Sequence, residues 1–150
     1  MRLLLDTNVL IDYYSRREPY VQDWLTLLVA QDFKDVELWA SAKSFTDVFY
    51  VTQKAVGSMR LQQMFLESLK FLHVCSIGLA DIQGAAQLAW DDFEDCLIDV
   101  AARKVKAAFI ITRDASGFSQ SKIPALSAHD FIAWQDAEKG LSYESLSLGS

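Results

Sequence analysis

Four aspartates stand at positions from which they could work together: Asp6 in LLLDTNVLID, Asp47 in SFTDVFYV, Asp95 in DFEDCLIDVAA and Asp114 in IITRDASGF. Two unit charges about 4 Å apart repel by roughly 4 kcal/mol at an effective dielectric of 20. A cluster of three or four carboxylates must therefore be hydrogen-bonded, protonated or bound to a cation. Hard oxygen donors suit Mg²⁺ or Mn²⁺, and Mg²⁺ keeps several waters, one of which can act as a nucleophile. Such a site orients a phosphodiester, lowers the pKa of the attacking water and stabilises the leaving oxygen.

For these acids to meet, the elements around them must end at one edge. Leu3 to Leu5 is an apolar run too short for a helix and suited to a buried parallel strand, with Asp6 at its carboxyl end. Open α/β sheets place their ligands at such ends. Thr7 is the expected cap of a helix through Val9, Leu10, Ile11 and Tyr14. A second helix carries Val21 to Val29, and Glu37 to Ala40 reads as a strand. Ser41 or Ser44 then caps a helix that would hold Asp47 in its first turn. Gly57-Ser58 interrupts the pattern before a helix from Met59 to Phe71. A strand over Leu72 to Ile77, a helix from Leu79 to about Trp90 and an acidic helix start at Asp91 to Asp95 follow. Ala107 to Ile111 is another strand, ended by Thr112-Arg113-Asp114. Ile123 to Leu126 reads as a final strand, and Ser127 as cap of a helix over His129 to Glu138. This alternation predicts a three-layer α/β/α sandwich with a central parallel sheet, whose right-handed crossovers bring the strand ends to one edge.

DTNVLID and the pair DFEDCLI…IITRD carry a family resemblance: the chain resembles the PIN-domain nucleases, and among them the toxin-type, VapC-like ribonucleases of bacterial toxin–antitoxin pairs. The resemblance runs from about Met1 to Trp134. It departs at Asp47, where the family commonly has Glu, and at Asp99, where it usually has a small residue. It implies Asp6, Asp95 and Asp114 as ligands of Mg²⁺ or Mn²⁺, with Asp47 serving a second ion or positioning a water. It implies Asn8 as a brace for the loop and the Thr112 hydroxyl as an orienter of a carboxylate or a phosphate ligand. RNA as substrate, a small antitoxin as partner and a homodimer are implied too. Arg113 is the phosphate-binding candidate, held at the site mouth by Asp114. Asp99, one turn after Asp95, is an accessory acid whose like charge a nearby cation would offset.

Composition permits this reading. The 150 residues, 51% of them hydrophobic, suffice for one core and are too few for two ordinary domains. One domain over residues 1–138 and a polar tail over 139–150 are expected. No apolar stretch approaches the roughly 20 residues of a membrane span, and a charge arrives too early in MRLLLD for a secretory signal, so a cytoplasmic protein is expected. The net charge of −6 argues against indiscriminate nucleic-acid binding, though bound divalent ions would cancel local negative charge. Arg103, Lys104 and Lys106 read as cations complementing a helix C-terminus. Cys75 and Cys96 read as core thiols, His73 and His129 as histidines without a ligand partner, and the four tryptophans as core or interface aromatics. Two other readings stay open. One is a PIN-like module that binds without cleaving. The other is a phosphoacceptor (receiver-like) signalling domain, which needs two adjacent acids after the first strand, where Leu5 precedes Asp6.

Overall fold

The computed structural model describes residues 1–143. Five parallel strands form one sheet in the order β3-β2-β1-β4-β5: β1 is Arg2–Leu5, β2 Glu37–Ser41, β3 His73–Cys75, β4 Phe109–Ile111 and β5 Ala125–Leu126. The central strand, β1, is buried on both faces, which is why it reads as three consecutive leucines. Leu3 and Leu5 point into a large core with α1 (Thr7–Tyr14), α2 (Tyr20–Asp32), α3 (Ala42–Val56), α4 (Ser58–Ser68) and α7 (Ala128–Lys139). Leu4 points the other way, onto Ile98, Ala101 and Ala102 of α6 (Phe93–Lys104), against which α5 (Leu79–Leu88) packs. The layers are thus helices, parallel sheet, helices.

Strand order reverses at β1, whose successor in sequence, β2, lies on one side and β4 on the other. The crevice between the carboxyl ends of β1 and β4 is the topological switch point, where folds of this type bind ligands. There Asp6 N–H donates to the Ile111 carbonyl at 2.9 Å, extending the ladder one residue past β1.

Local chemistry sets the element ends. The expected cap Thr7 is instead the first residue of α1; Asp6 is the cap, its carboxylate accepting from Thr7 N–H at 2.7 Å. Ser41 caps α3, so Asp47 falls in the second turn of that helix and not in its first. Gly57 at φ 96° separates α3 from α4, a backbone region that favours glycine. The strands around His73 and Phe109 are shorter than the apolar runs that contain them. Of the expected tail, Tyr143 is buried in the larger core and donates from its hydroxyl to Asp35, while residues 144–150 lie outside the described residues. Cys75 and Cys96 are buried free thiols.

One side chain closes the start of β3. Gln31 donates to the Phe71 carbonyl and accepts from Leu38 N–H, both at 2.8 Å. Gln31→Leu leaves two backbone groups without partners. It is expected to lower stability by about 2–4 kcal/mol, read from the urea midpoint. A loss below about 0.5 kcal/mol would mean that water reaches those groups.

Candidate functional site

At the switch point the side chains form a layered hydrogen-bond system. Thr112, only 1% exposed just past β4, donates its hydroxyl to Asp6 Oδ2 at 2.8 Å. The same oxygen of Thr112 accepts from Asp114 N–H at 3.0 Å and from Asn8 Nδ2 at 3.4 Å. Asn8 Oδ1 in turn accepts from Arg113 N–H at 3.3 Å. The loop after β4 is therefore fastened to α1, and the fastening fixes the direction of the Asp6 carboxylate. Burial raises the pKa of Asp6, with Asp114 and Asp92 adding to the effect; the bonds from Thr112 and Thr7 oppose it.

Asp95 lies in the first turn of α6. Asp92 caps that helix by accepting from Asp95 N–H at 3.0 Å. Burial and then the charges of Asp92, Asp6, Asp114 and Glu94 push the Asp95 carboxyl up to about 7. Asp114 completes the group, accepting from Ser116 Oγ at 2.7 Å. A short 3₁₀ turn, Ala115–Phe118, then brings Gly117 against both acids. A Cβ on Gly117 would stand 2.6 Å from Asp95 Oδ2 and 3.5 Å from Asp114 Oδ2, so only glycine leaves room for the Asp95 carboxylate where it lies. Local sequence gives no sign of this, because the close approach is tertiary.

A cavity of about 430 Å³ runs from this group toward α3, lined by Asp6, Thr7, Asn8, Asp47, Tyr50, Glu94 and Asp95 among others. Asp47 thus shares a pocket with Asp6 and Asp95. It is not alone there: Lys43 Nζ lies 2.8 Å from Asp47 Oδ2 and 3.5 Å from Glu94 Oε1. Burial disfavours the Lys43 charge, but hydrogen bonds and charges from Asp47 and Glu94 outweigh it and raise its pKa. Glu94, part of the acidic helix start in the sequence, lines the pocket, and its carboxyl is raised by burial and by Asp47. Among the described residues no three His, Cys, Asp or Glu side chains converge tightly enough, as they stand, to enclose an ion.

Two candidates belong elsewhere. Asp99 is buried and accepts from Ser121 Oγ at 2.5 Å and from Arg103 Nε at 3.1 Å, so its cation is an arginine one turn further on and it does not reach the pocket. Arg103 therefore does more than complement the helix end. Arg113 is held by Asp12 and not by Asp114: its Nε and Nη2 donate to the two carboxylate oxygens of Asp12 at 2.7 and 3.2 Å, and its guanidinium lies 4.5 Å from the Tyr20 ring centre. Asp12, 1% exposed, also has Arg17 at 3.8 Å. An acid on the buried stripe of α1, three residues after Val9, is the signal that could have found it.

Fold and site together describe a parallel α/β sandwich with a carboxylate group at the carboxyl edge of its central strands. The chain belongs to the PIN domain family, whose model matches residues 2–116. Solved structures share the fold. VapBC2 from Rickettsia felis, bound to a promoter DNA fragment, matches at TM-score 0.64 and 15% identity, over 85% of this chain and 98% of that one. Mycobacterium tuberculosis VapC20, a Sarcin-Ricin loop cleaving toxin, matches at TM-score 0.61 and 11% identity, over 79% of this chain and 94% of that one. A toxin–antitoxin complex from Klebsiella pneumoniae matches at TM-score 0.56 and 21% identity, over 84% and 97%. No curated protein matches significantly. Among the described residues no helix is long and apolar enough to cross a membrane.

The raised Asp95 has a measurable consequence for the metal-free protein. Its folded-state pKa of about 7 lies above its ordinary 3.8. The stability it contributes is therefore complete below the ordinary value and is lost as pH rises through 7. In EDTA, wild type should lose more stability between pH 5 and pH 8 than Asp95→Asn, read as urea midpoints. Parallel pH profiles would show that Asp95 ionises freely in the fold.

Proposed function

We propose that this protein is a Mg²⁺- or Mn²⁺-dependent endoribonuclease and the toxin of a two-component module, paired with a small antitoxin and working as a homodimer. One observation carries the reading. Asp114 raises the charge cost of Asp6, and Asp6 and Asp114 raise that of Asp95, yet none of the three is in a salt bridge among the described residues, whereas Asp12, Asp47, Asp81, Glu94 and Asp99 each are. Asp6 is buried and Asp95 half-buried, and like charges drawn partly out of water without a counter-ion call for one from outside. The donors are hard oxygens, and Gly117 keeps the space beside two of them free. The toxin role is supported by the similar structures, a Sarcin-Ricin loop cleaving toxin and a toxin–antitoxin complex among them.

In this reading Asp6, Asp95 and Asp114 hold the ion, which when bound orients the phosphodiester and makes a water a stronger nucleophile. Thr112 and Thr7 N–H fix Asp6; Asn8 and Thr112 fix the loop that carries Asp114. Asp95, whose carboxyl is pushed up to about 7 without an ion, would have to give up its proton to hold one, so ion affinity would rise with pH. Asp47 and Glu94 form the far wall of the pocket, where the RNA backbone would pass. Arg113, committed to Asp12, shapes the loop and leaves the phosphate to the ion.

A second reading, a PIN-like module that binds RNA or protein without cutting, draws on the pairing of Asp47 with Lys43. Cleavage separates the two. Wild type with Mn²⁺ is expected to cut at least one of a panel of structured RNAs, leaving a 5′-phosphate. Asp6→Asn, Asp95→Asn and Asp114→Asn should each lose activity without losing helical circular dichroism, and the losses should not add. A wild type that cuts none of the panel with either ion would favour the binding module. Gly117→Ala should lower cleavage by roughly a hundred-fold, the scale on which a misplacement of about 1 Å is felt. Unchanged cleavage in that variant would mean that the Asp95 carboxylate need not stay where it is.

A further inference from the structure

We propose that Lys43 supplies, as its own ammonium, the second positive charge of this pocket, so that the site takes one divalent ion and not two. The inference rests on the ribonuclease reading and extends it to the number of ions. The pocket holds two sets of acids. Asp6 and Asp95 line it with no cation partner among the described residues, whereas Asp47 and Glu94 share Lys43 Nζ, at 2.8 and 3.5 Å. A divalent ion entering the pocket meets Asp6 and Asp95, two carboxyls without a cation partner, on one side, with Asp114 beside Asp95 across Gly117. On the other it meets a pair already half neutralised.

Local helix energetics do not account for Lys43. It is the second residue of α3, where the helix dipole disfavours a cation. Its pairing with Asp47 runs in the order Lys then acid at i, i+4, the weaker order on a helix. Glu94, moreover, is on α6, so the ammonium joins the starts of two helices that come from opposite faces of the sheet. The lysine side chain is 35% exposed, sheltered enough for the charge to be held in place. Asp47 is a carbon shorter than Glu, and Lys43 reaches back to it. The arrangement makes Asp47 and Glu94 holders of an ammonium, not ligands of an ion.

The test is Mn²⁺ stoichiometry, by titration calorimetry and by the electron paramagnetic resonance of free Mn²⁺, on wild type, Lys43→Met and the double variant Asp47→Asn/Glu94→Gln. Wild type is expected to bind one Mn²⁺ per chain and Lys43→Met two, the second more weakly. The double variant, which keeps Lys43, should still bind one, with affinity changed by less than about fivefold, the reach of a partly exposed charge. Two ions in wild type, or one in a folded Lys43→Met, would overturn the proposal and leave the ribonuclease reading intact. So would loss of binding in the double variant, which stands in for Lys43→Met if that chain does not fold. No Mn²⁺ in wild type would overturn the ribonuclease reading, and this proposal with it.

Discussion

A carboxylate kept out of water at the end of the central strand constrains everything around it. Asp6 is 7% exposed and has no cation among the described residues to offset its charge. What makes it tolerable is two hydrogen bonds, one from the backbone of α1 and one from Thr112. Those bonds require α1 to start directly after β1 and β4 to end beside it. The strand order, the cap of α1 and the turn after β4 all satisfy that requirement. The same residue ends a strand, caps a helix and faces the pocket. Any rearrangement that relaxed it would undo three local structures at once.

The other acids are sorted by what neutralises them. Asp12 and Asp99 are buried and have arginines within hydrogen-bond reach, so they act as internal ties: one holds the loop after β4 to α1, the other holds Ser121 and the chain before β5 to α6. Asp95 and Asp114 form no ion pair among the described residues; Asp114 accepts from a serine hydroxyl, and the charges that bear on Asp95 are those of other carboxylates. Removing one partner of a buried ion pair strands the other charge, whereas removing one of several repelling carboxylates relieves strain. Two aspartates on one helix, Asp95 and Asp99, four residues apart, thus fall on opposite sides of that distinction.

Much of this was legible in the sequence because its signals are local. Leu3 to Leu5, the helical spacing of the apolar residues and the serine caps fix the layers, and the PIN pattern follows from DTNVLID and IITRD. What was not legible depends on residues distant in the chain. Arg113 meets Asp12 across 101 positions, and nothing in either segment names the other. Ser121 comes to Asp99 only once β5 is in the sheet. Glu94 looks like any acid at a helix start until α3 brings Lys43 to it. Thr7 was a reasonable cap because threonine often is one, but Asp6 is already placed to accept from the next amide.

The strand order also bears on how the molecule comes to exist. β1 is made before its neighbour β4, which pairs Phe109 with Leu3. A chain elongating from its amino end can lay β2 and β3 against one side of β1 early, but the other side stays bare until residue 111 has been added. Closing so long a loop is slow relative to local pairing. Until then the three leucines of β1 expose an open edge, the kind of surface that nascent chains must have shielded. By the same logic, Asp6 and Asp114 cannot meet in any shorter product of interrupted synthesis. The carboxylate group exists only in a chain that already extends past β4 to Asp114.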